Sequence, residues 1–321
     1  MTSATTRFRL SLGETFGLAP LPVRAREAWL ALRGDAGVPA TRFGLSSLGI
    51  LHPALSLRTW LGLRRGDRRV PISCLYNHTP TPLADGWSVR KTQVRDFRGG
   101  RLTYDSHNGT DFAVPVGTVV VAAAPGVVQR ISSEFNRGGL KVFIDHGRGL
   151  ITTSNHLARP LVEVGQRVTR GQPIALSGYS GLDAVVAFPW SVPHVHFNVW
   201  LDGEYVDPFA AGDEPPLWLH GNQPRPAAAG LAEPPVTPTA WDPAAIAGAI
   251  DRCSDLATRQ ALGRERDLGR RAMDLLFVRN YYPTRFDGRP PVYPEAHPRQ
   301  PWLTLPFRAA DCAGITFAAE G

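Results

Sequence analysis

Two short stretches of the sequence carry side chains that can bind a metal ion. One reads His107-Asn108-Gly109-Thr110-Asp111 and the other His194-Val195-His196, in a chain of 321 residues that has only 9 histidines. Imidazole and carboxylate groups are natural ligands of Zn²⁺, and a hydrolytic site uses three of them and leaves one position for water. Side chains at i and i+2 of a strand share a face, so an extended segment would direct His194 and His196 into one pocket.

Glycine turns and short apolar runs surround these two motifs in a fixed order. The ordered series is similar to the lysostaphin-type zinc endopeptidases, bacterial enzymes that cut peptide bonds in peptidoglycan. The similarity covers roughly residues 100 to 210. The stretches that carry it, besides the two histidine motifs, are Pro115-Val116-Gly117-Thr118, Gly138-Gly139, Asp145-His146-Gly147, Asn155-His156-Leu157, Val164-Gly165-Gln166, Gly171-Gln172-Pro173, Gly178-Tyr179-Ser180-Gly181 and Tyr205-Val206-Asp207-Pro208.

This resemblance implies a site and an activity. His107, Asp111 and His196 match the zinc ligands of the family, and His194 and His156 match its two unligated histidines near the metal-bound water. The implied function is a zinc metalloendopeptidase that hydrolyses peptide bonds in peptidoglycan cross-links with a zinc-activated water. The implied cofactor is Zn²⁺, and the implied partner is peptidoglycan or a peptide substrate.

The residues themselves favour histidine as the general base. The chain has no His-Glu-x-x-His motif, so no glutamate is placed beside the ligands. Histidine exchanges protons near neutrality, and His194 shares a strand face with His196, so we expect His194 to be the base. His156 would then donate to the oxyanion or assist proton transfer, although the sequence leaves the division between the two open. His146, before a glycine, is expected to be a hydrogen-bonded turn residue and not a ligand.

The sequence departs from the family pattern at three places. Asn198 stands where the family often has an acidic residue, and Ser154 stands where an aromatic residue usually precedes the Asn-His pair. The stretch from Leu182 to Pro193 is longer than usual. Its Phe188 and Trp190 are expected either to border the substrate groove or to pack beneath the loop.

Composition indicates an ordinary globular protein. Hydrophobic residues make up 43% and charged residues 20%, and the net charge of +7 suits an anionic polymer such as cell wall or nucleic acid equally. No basic motif interleaved with aromatic residues accompanies this charge, so no nucleic-acid partner is expected.

Cys74, Cys253 and Cys312 lie far apart without a metal-binding spacing, and we interpret them as reduced or buried thiols.

The family implies a periplasmic or extracellular location, but residues 1 to 30 lack the continuous apolar region of an export signal. A truncated start, an unusual exit route or a different substrate would each account for this. The apolar stretch from Phe43 to Leu63 is interrupted by polar residues, so no transmembrane segment is expected.

Two other functions are compatible with the sequence. One is a peptidase that acts on a protein outside the cell wall. The other is a non-catalytic module that regulates wall hydrolases, although such modules typically lose ligands, and here every ligand is present. Nothing in the sequence indicates an oligomeric state.

The pattern of residues predicts a mainly β fold, with a compact antiparallel β-sheet peptidase core, a mixed N-terminal extension and a helical C-terminal region. We assign residues 1–75 to the extension, 76–212 to the lysostaphin-type metallopeptidase domain, 213–240 to a proline-rich linker, and 241–321 to the helical region and tail. Short β-branched runs such as Val119 to Ala123 predict strands. Thr6 to Leu12 alternates like a half-buried strand, Ala25 to Leu32 predicts a helix, and Asp242-Pro243 predicts a helix start.

Overall fold

The computed structural model describes residues 9–35, 37–79, 81–82, 86–182, 187–228, 230, 233 and 236–319. Within them, 11 strands join one large, mostly antiparallel sheet, and helices lie in the N- and C-terminal parts. The predicted mainly β class is therefore confirmed. The strands are β1 (Arg69–Cys74), β2 (Thr110–Ala113), β3 (Val119–Val121), β4 (Gly126–Glu134), β5 (Gly139–Asp145), β6 (Leu150–Pro160), β7 (Arg167–Val168), β8 (Pro173–Ser177), β9 (His194–Leu201), β10 (Glu204–Val206) and β11 (Gly314–Phe317).

The strand order places the two histidine motifs side by side in the middle of the sheet. The order is β11-β1-β2-β9-β6-β5-β4-β7, with β10 paired to β9, and β8 paired to both β3 and β6. β1 and β11 pair in parallel, whereas the other pairs described are antiparallel. β2 and β9 therefore lie in direct contact, and β6, which carries Asn155 and His156, is the next neighbour of β9.

Alternation along β9 gives the sheet two different faces. Val195, Phe197 and Val199 enter the main apolar core on one side. His194 and His196 lie on the other side, as the i, i+2 spacing predicts. Trp200 continues that second face and packs in a separate core with residues of the C-terminal helices. The histidines and the C-terminal helices therefore share one face of the sheet.

The N-terminal part contains three helices, α1 (Leu12–Phe16), α2 (Leu21–Arg33) and α3 (Pro53–Trp60). The helix predicted from Ala25 to Leu32 is confirmed within α2. The strand predicted from Thr6 to Leu12 is wrong at its end, because Ser11 caps α1 through a capping box with Glu14 and so starts a helix at Leu12. The beginning of that prediction, up to residue 8, lies outside the described residues.

Three helices follow in the C-terminal part, α4 (Pro243–Asp251), α5 (Leu256–Arg264) and α6 (Leu268–Tyr281). The predicted start at Asp242-Pro243 is confirmed, since the Asp242 carboxylate accepts hydrogen bonds from two backbone N–H groups. The two breaks between these helices lie between Asp251 and Leu256 and between Arg264 and Leu268, and the second lies between Gly263 and Gly269. Both glycines lie inside helices, and the breaks occur where Asp255 and Asp267 cap new helices.

The sheet also recruits strands from both flanking segments. β1 comes from the end of the predicted N-terminal extension, and β11 comes from the predicted C-terminal tail. The domain boundaries themselves stay a prediction. Among the described residues, every helix is too short or too polar to span a lipid bilayer.

Candidate metal centre

Strand pairing brings Asp111 and His196 directly opposite each other. Their Cα atoms are partners in the antiparallel register of β2 and β9. His107 lies in the turn just before β2, and its ring packs edge-on against the His196 ring at a centroid distance of 4.9 Å. Side chains of directly opposed residues on one face are close enough to share a ligand. The sheet thus assembles the three residues that the resemblance indicated as ligands.

The donor atoms of these three residues form a small triangle. Asp111 Oδ1 lies 2.7 Å from His196 Nδ1 and 3.1 Å from His107 Nε2. His107 Nε2 and His196 Nδ1 are 3.2 Å apart. Donors bound to one Zn²⁺ at about 2.0–2.1 Å in a tetrahedral arrangement are separated by about 3.3 Å. The residues present therefore fit a zinc ion, with small outward adjustments.

Backbone carbonyls fix which nitrogen of each ring faces the site. His107 Nδ1 lies 2.6 Å from the Leu75 oxygen and His194 Nδ1 lies 2.7 Å from the Val192 oxygen, so each ring donates from Nδ1. The lone pair of each neutral ring is then on Nε2. A histidine that binds a metal usually donates its other N–H in this way, which fixes its tautomer and orientation.

The His196 ring faces the other two side chains with its Nδ1 atom, whereas His107 and His194 use Nδ1 to donate to backbone carbonyls. Its Nδ1 faces Asp111, and its Nε2 lies 3.2 Å from the side-chain oxygen of Asn108. Asn198 holds Asn108 in place by donating to its backbone oxygen at 2.8 Å and its side-chain oxygen at 3.0 Å. The Asn198 amide nitrogen also lies 2.9 Å from His196 Nε2 and donates to it when the ring proton is on Nδ1. If a metal bound Nδ1, the Nε2–H group would donate to the Asn108 oxygen. A neutral amide therefore supports this ligand where the family often has an acid.

A chain of hydrogen bonds continues from this pair to the C-terminal helices. Asn155 Nδ2 donates to the side-chain oxygen of Asn198 at 3.0 Å and to the hydroxyl oxygen of Tyr281 at 3.3 Å. Tyr281 is the last residue of α6 and is buried. The orientation of His196 is thus connected through three side chains to a helix that follows the sheet in the sequence.

His156 occupies a strained position beside the triangle. Its φ of 58° lies in the left-handed region, which non-glycine residues rarely adopt and which often marks a functional position. Its Nδ1 lies 2.7 Å from the Ser180 oxygen, so the ring donates there. The ring centroids of His156 and His194 are 4.6 Å apart. The structure therefore brings together all five residues that the sequence indicated.

Charges within the site are strongly coupled. Burial disfavours a charged His107 ring, but the Asp111 carboxylate outweighs burial and raises the pKa of His107 well above its usual value. Burial also disfavours the Asp111 anion, but His107, His194 and His196 hold its pKa well below the usual range. Burial lowers the pKa of His196. A protonated His107 and an ionised Asp111 therefore pair until a cation replaces the proton.

Gly109 is required by the close approach of β9. A Cβ atom at this position would lie 2.7 Å from His196 Nε2 and 2.8 Å from the Phe197 oxygen. Real Cβ atoms do not approach other atoms so closely. The glycine between His107 and Asp111 therefore lets the loop pass over His196.

Two cavities meet at the metal centre. One of about 270 Å³ is bordered by Asp111, His194 and His196, and the other, of about 310 Å³, is bordered by His107. Both cavities are lined by Trp87, Asn108, Arg137 and Tyr281. Walls of the first cavity come from the N-terminal extension, at Phe43, Leu48 and Ile50. A ligand in this cavity would therefore contact segments from outside the core sheet.

The long stretch before His194 has a structural role at Phe188. Its ring lies 5.4 Å from the Trp60 ring and 5.7 Å from the Phe16 ring, and it therefore packs against the N-terminal helices. The stretch contributes other residues to the cavity wall, namely Leu182, Ala187, Ser191 and Val192. Half of the Phe188 surface nevertheless stays exposed and Trp190 is 56% exposed, so the place of both rings at a substrate groove stays a prediction. Residues 183–186 lie outside the described part of the chain.

His146 makes the hydrogen bonds expected of a turn residue. Its Nδ1 lies 2.9 Å from the Pro125 oxygen and its Nε2 lies 2.8 Å from the Thr152 hydroxyl. Burial lowers its pKa to about 4, which keeps it neutral.

The sequence did not indicate Asn108, Tyr281 or Cys74 as site residues. Asn108 lies inside the first histidine motif, so its position was the one available signal. No sequence signal indicated Tyr281 or Cys74, because both lie near the site only as a result of how the chain packs. The three cysteines are free and buried, as expected. Cys74, however, lies beside His107 and Asp111.

Comparison with known proteins agrees with this geometry. Residues 105–208 match Peptidase family M23. This part of the chain is an M23 peptidase domain. The match includes all five histidine and aspartate positions of the site and confirms the recognition of the lysostaphin-type family.

Relatives of the M23 domain include both enzymes and an activator. An uncharacterized metalloprotease of Haemophilus influenzae is 37% identical over 102 residues, which are 32% of this chain and 20% of the relative. Peptidoglycan DD-endopeptidase ShyA of Vibrio cholerae is 39% identical over 105 residues, 33% of this chain and 23% of the relative. Murein hydrolase activator EnvC of Escherichia coli is 37% identical over 124 residues, 38% of this chain and 27% of the relative.

The matched part of this chain thus spans about a fifth to a quarter of each relative's length. The similarity identifies a metallopeptidase domain and supports a hydrolase.

Proposed function

We propose that His107, Asp111 and His196 bind one Zn²⁺ and that the M23 domain hydrolyses peptide bonds in peptidoglycan cross-links. The observation that carries this proposal is the triangle of donor atoms, in which Asp111 Oδ1 lies 2.7 Å from His196 Nδ1 and 3.1 Å from His107 Nε2. The name of the Vibrio relative, a peptidoglycan DD-endopeptidase, supports the substrate class.

Zinc held by two neutral imidazoles and one carboxylate retains a formal charge of +1, polarises a scissile carbonyl and lowers the pKa of a coordinated water to about 7. The chain must supply the group that takes the proton of the attacking water. His194 is suited to this, because its Nδ1 proton is committed to the Val192 oxygen and its Nε2 lies 3.7 Å from Asp111 Oδ1. We assign His194 Nε2 as the acceptor of that proton.

The His156 ring lies beside the His194 ring, at a centroid distance of 4.6 Å. Its Nδ1 is held by the Ser180 oxygen, so Nε2 is the nitrogen left to donate to the substrate. When protonated, this ring donates to the oxyanion that develops on the attacked carbonyl. The proton that His194 received passes to the leaving amine as the C–N bond breaks, which returns His194 to its neutral form, while His156 keeps its proton throughout.

Digestion of isolated peptidoglycan tests the proposal directly. Purified protein should release soluble peptides that mass spectrometry identifies as products of cross-link cleavage, and a chelator should stop the release. Added Zn²⁺ should restore it. His194→Ala should retain zinc and lose activity, whereas His220→Ala, at an exposed position, should behave as the unmodified protein. Release that persists at full rate after complete removal of the metal would contradict the mechanism.

A regulatory function is the second candidate, and its support is the similarity to the murein hydrolase activator EnvC. A regulator would stimulate another wall hydrolase without cleaving peptidoglycan alone. Zinc-loaded protein that releases no peptides by itself, but accelerates release by a purified wall hydrolase, would favour this function. A third outcome, cleavage of a protein and not of peptidoglycan, would indicate a peptidase with a substrate outside the wall.

A further inference from the structure

We propose that Cys74 is a fourth protein ligand of the metal centre and that its thiolate occupies the coordination position that catalysis requires. This inference rests on the proposed function, because it concerns the metal held by His107, Asp111 and His196. It adds a resting state, in which the centre is closed by a cysteine, to the active state proposed above.

The argument begins with distances. Cys74 Sγ, a ring nitrogen of His107 and a carboxylate oxygen of Asp111 all lie within 4.8 Å of one another. His107 and Asp111 also form the triangle with His196. His107 and Asp111 therefore belong to both groups. His196 is not part of the group that contains Cys74, so the thiol must turn toward the triangle for all four side chains to meet at one ion.

The sheet fixes Cys74 in this place. Cys74 is the last residue of β1 and the register partner of Asp111 in β2, just as His196 is the partner of Asp111 in β9. Asp111 is thus flanked on one strand by Cys74 and on the other by His196. Cys74 and both of these residues border the same cavity.

The other two cysteines provide a contrast. Cys312 Sγ lies 3.2 Å from the Gly314 oxygen and Cys253 Sγ lies 3.5 Å from the Asp255 oxygen, so each thiol donates to a carbonyl near it in sequence. The Cys74 sulfur instead lies within 4.8 Å of a ring nitrogen of His107. Cys74 is 93% buried, with 7% of its surface exposed. Of the three thiols, Cys74 is the one that lies beside a group of metal ligands.

The chemistry of such a ligand set is that of a closed centre. Zinc sites with four protein ligands are structural and sites with three are catalytic, because only the latter keep a position for water. A coordinating thiol loses its proton to the metal's field. Two imidazoles, one carboxylate and one thiolate bring the formal charge of the centre from +1 to zero. Both effects lower activity, so Cys74 must leave the metal before a substrate is hydrolysed.

Cobalt substitution tests this without measuring activity. Protein in which Co²⁺ replaces Zn²⁺ should show a sulfur-to-cobalt charge-transfer band in the near ultraviolet, in addition to the weaker visible bands of the ion. Cys74→Ser should remove that band and keep the visible ones. Cys312→Ser, which changes another buried cysteine, should leave the band unchanged.

X-ray absorption at the zinc edge provides a test that needs no variant. Zinc-loaded unmodified protein should show one sulfur neighbour at about 2.3 Å together with nitrogen and oxygen neighbours at about 2.0–2.1 Å. Stoichiometric zinc with only nitrogen and oxygen neighbours, or cobalt bound without the charge-transfer band, would overturn the inference and leave the proposed function intact. Failure to bind either metal would overturn both.

Discussion

The hydroxyl oxygen of Tyr281 lies 3.3 Å from Nδ2 of Asn155, and this contact joins the last residue of helix α6 to the side chains that orient His196. Helix α6 packs on the same face of the sheet that carries the histidines. The C-terminal helices therefore do more than cover apolar surface. They supply one end of a polar chain whose other end is a proposed metal ligand.

Removal of the Tyr281 hydroxyl should weaken metal binding. Loss of a hydrogen-bonded partner behind a metal ligand typically costs 10–100-fold in affinity, and we expect about 10-fold for Tyr281→Phe because it acts through Asn155 and Asn198. Competition with a chromophoric chelator measures the zinc affinity. Tyr293→Phe is the matched control, since Tyr293 is buried and its hydroxyl has no hydrogen bond within the described structure. Equal affinities for the two variants would contradict a positioning role.

Substitution of Gly109 should disrupt the centre. The Cβ atom of Gly109→Ala would lie 2.7 Å from His196 Nε2, so the His196 ring or the whole loop must move. We expect loss of most bound zinc, measured by elemental analysis, and a lower melting temperature. Gly263→Ala is the control, because this glycine lies in helix α5 with no atom within 4 Å of the new methyl group. It should raise stability by about 0.5–1 kcal/mol.

Zinc binding should release protons near neutral pH. Because the pKa of His107 is raised well above its usual value, its ring is protonated at pH 7 until a metal displaces the proton from Nε2. We therefore expect about one proton released per zinc from His107 and a second from the Cys74 thiol when it coordinates as proposed, with an affinity that weakens as the pH falls. Calorimetric titration in buffers of different ionisation enthalpy measures the number of protons. A binding enthalpy independent of the buffer would show that His107 is already neutral.

The two histidines outside the triangle should affect activity but not metal content. His194→Ala and His156→Ala should retain zinc and lose about 10²–10⁴-fold in kcat/KM, the usual range for a general acid or base. His146→Ala should retain activity apart from a folding defect. If either catalytic variant lost zinc as completely as His196→Ala, that residue would be a ligand and the division of roles would be wrong.

Phe188 should stabilise the fold, and by holding its own segment in place it should also hold the part of the cavity wall that this segment forms. Its ring packs against Trp60 and Phe16 while half of its surface stays exposed, so Phe188→Ala should cost about 1–2 kcal/mol, less than a fully buried phenylalanine. Because Ser191 and Val192 of the same segment border the cavity, KM should also rise. Trp190→Ala is the matched variant, since its ring is 56% exposed and should change stability less. Chemical denaturation and steady-state kinetics measure the two effects.

Much of the sheet and the candidate site was predictable from sequence because the relevant patterns are local. Alternation along His194 to Val199 specifies which residues face the core and which face the site. Short β-branched runs between glycine turns predict strands, and Asp242-Pro243 predicts a helix start, because propensity and capping act over a few residues. The same reasoning failed at residues 11 to 16, where a capping box favours a helix over the alternation of a strand.

The sequence by itself indicated the candidate ligands and the two candidate catalytic histidines, through an ordered series of motifs that resembles one family. It indicated the mainly β architecture through short local patterns. Only the tertiary structure decided that β2 and β9 pair so that Asp111 meets His196, that Cys74 lies on the other side of Asp111, and that Tyr281 closes the support of His196. These contacts join residues far apart in the chain. They arise from strand order and from helix packing on one face of the sheet, which no local pattern encodes.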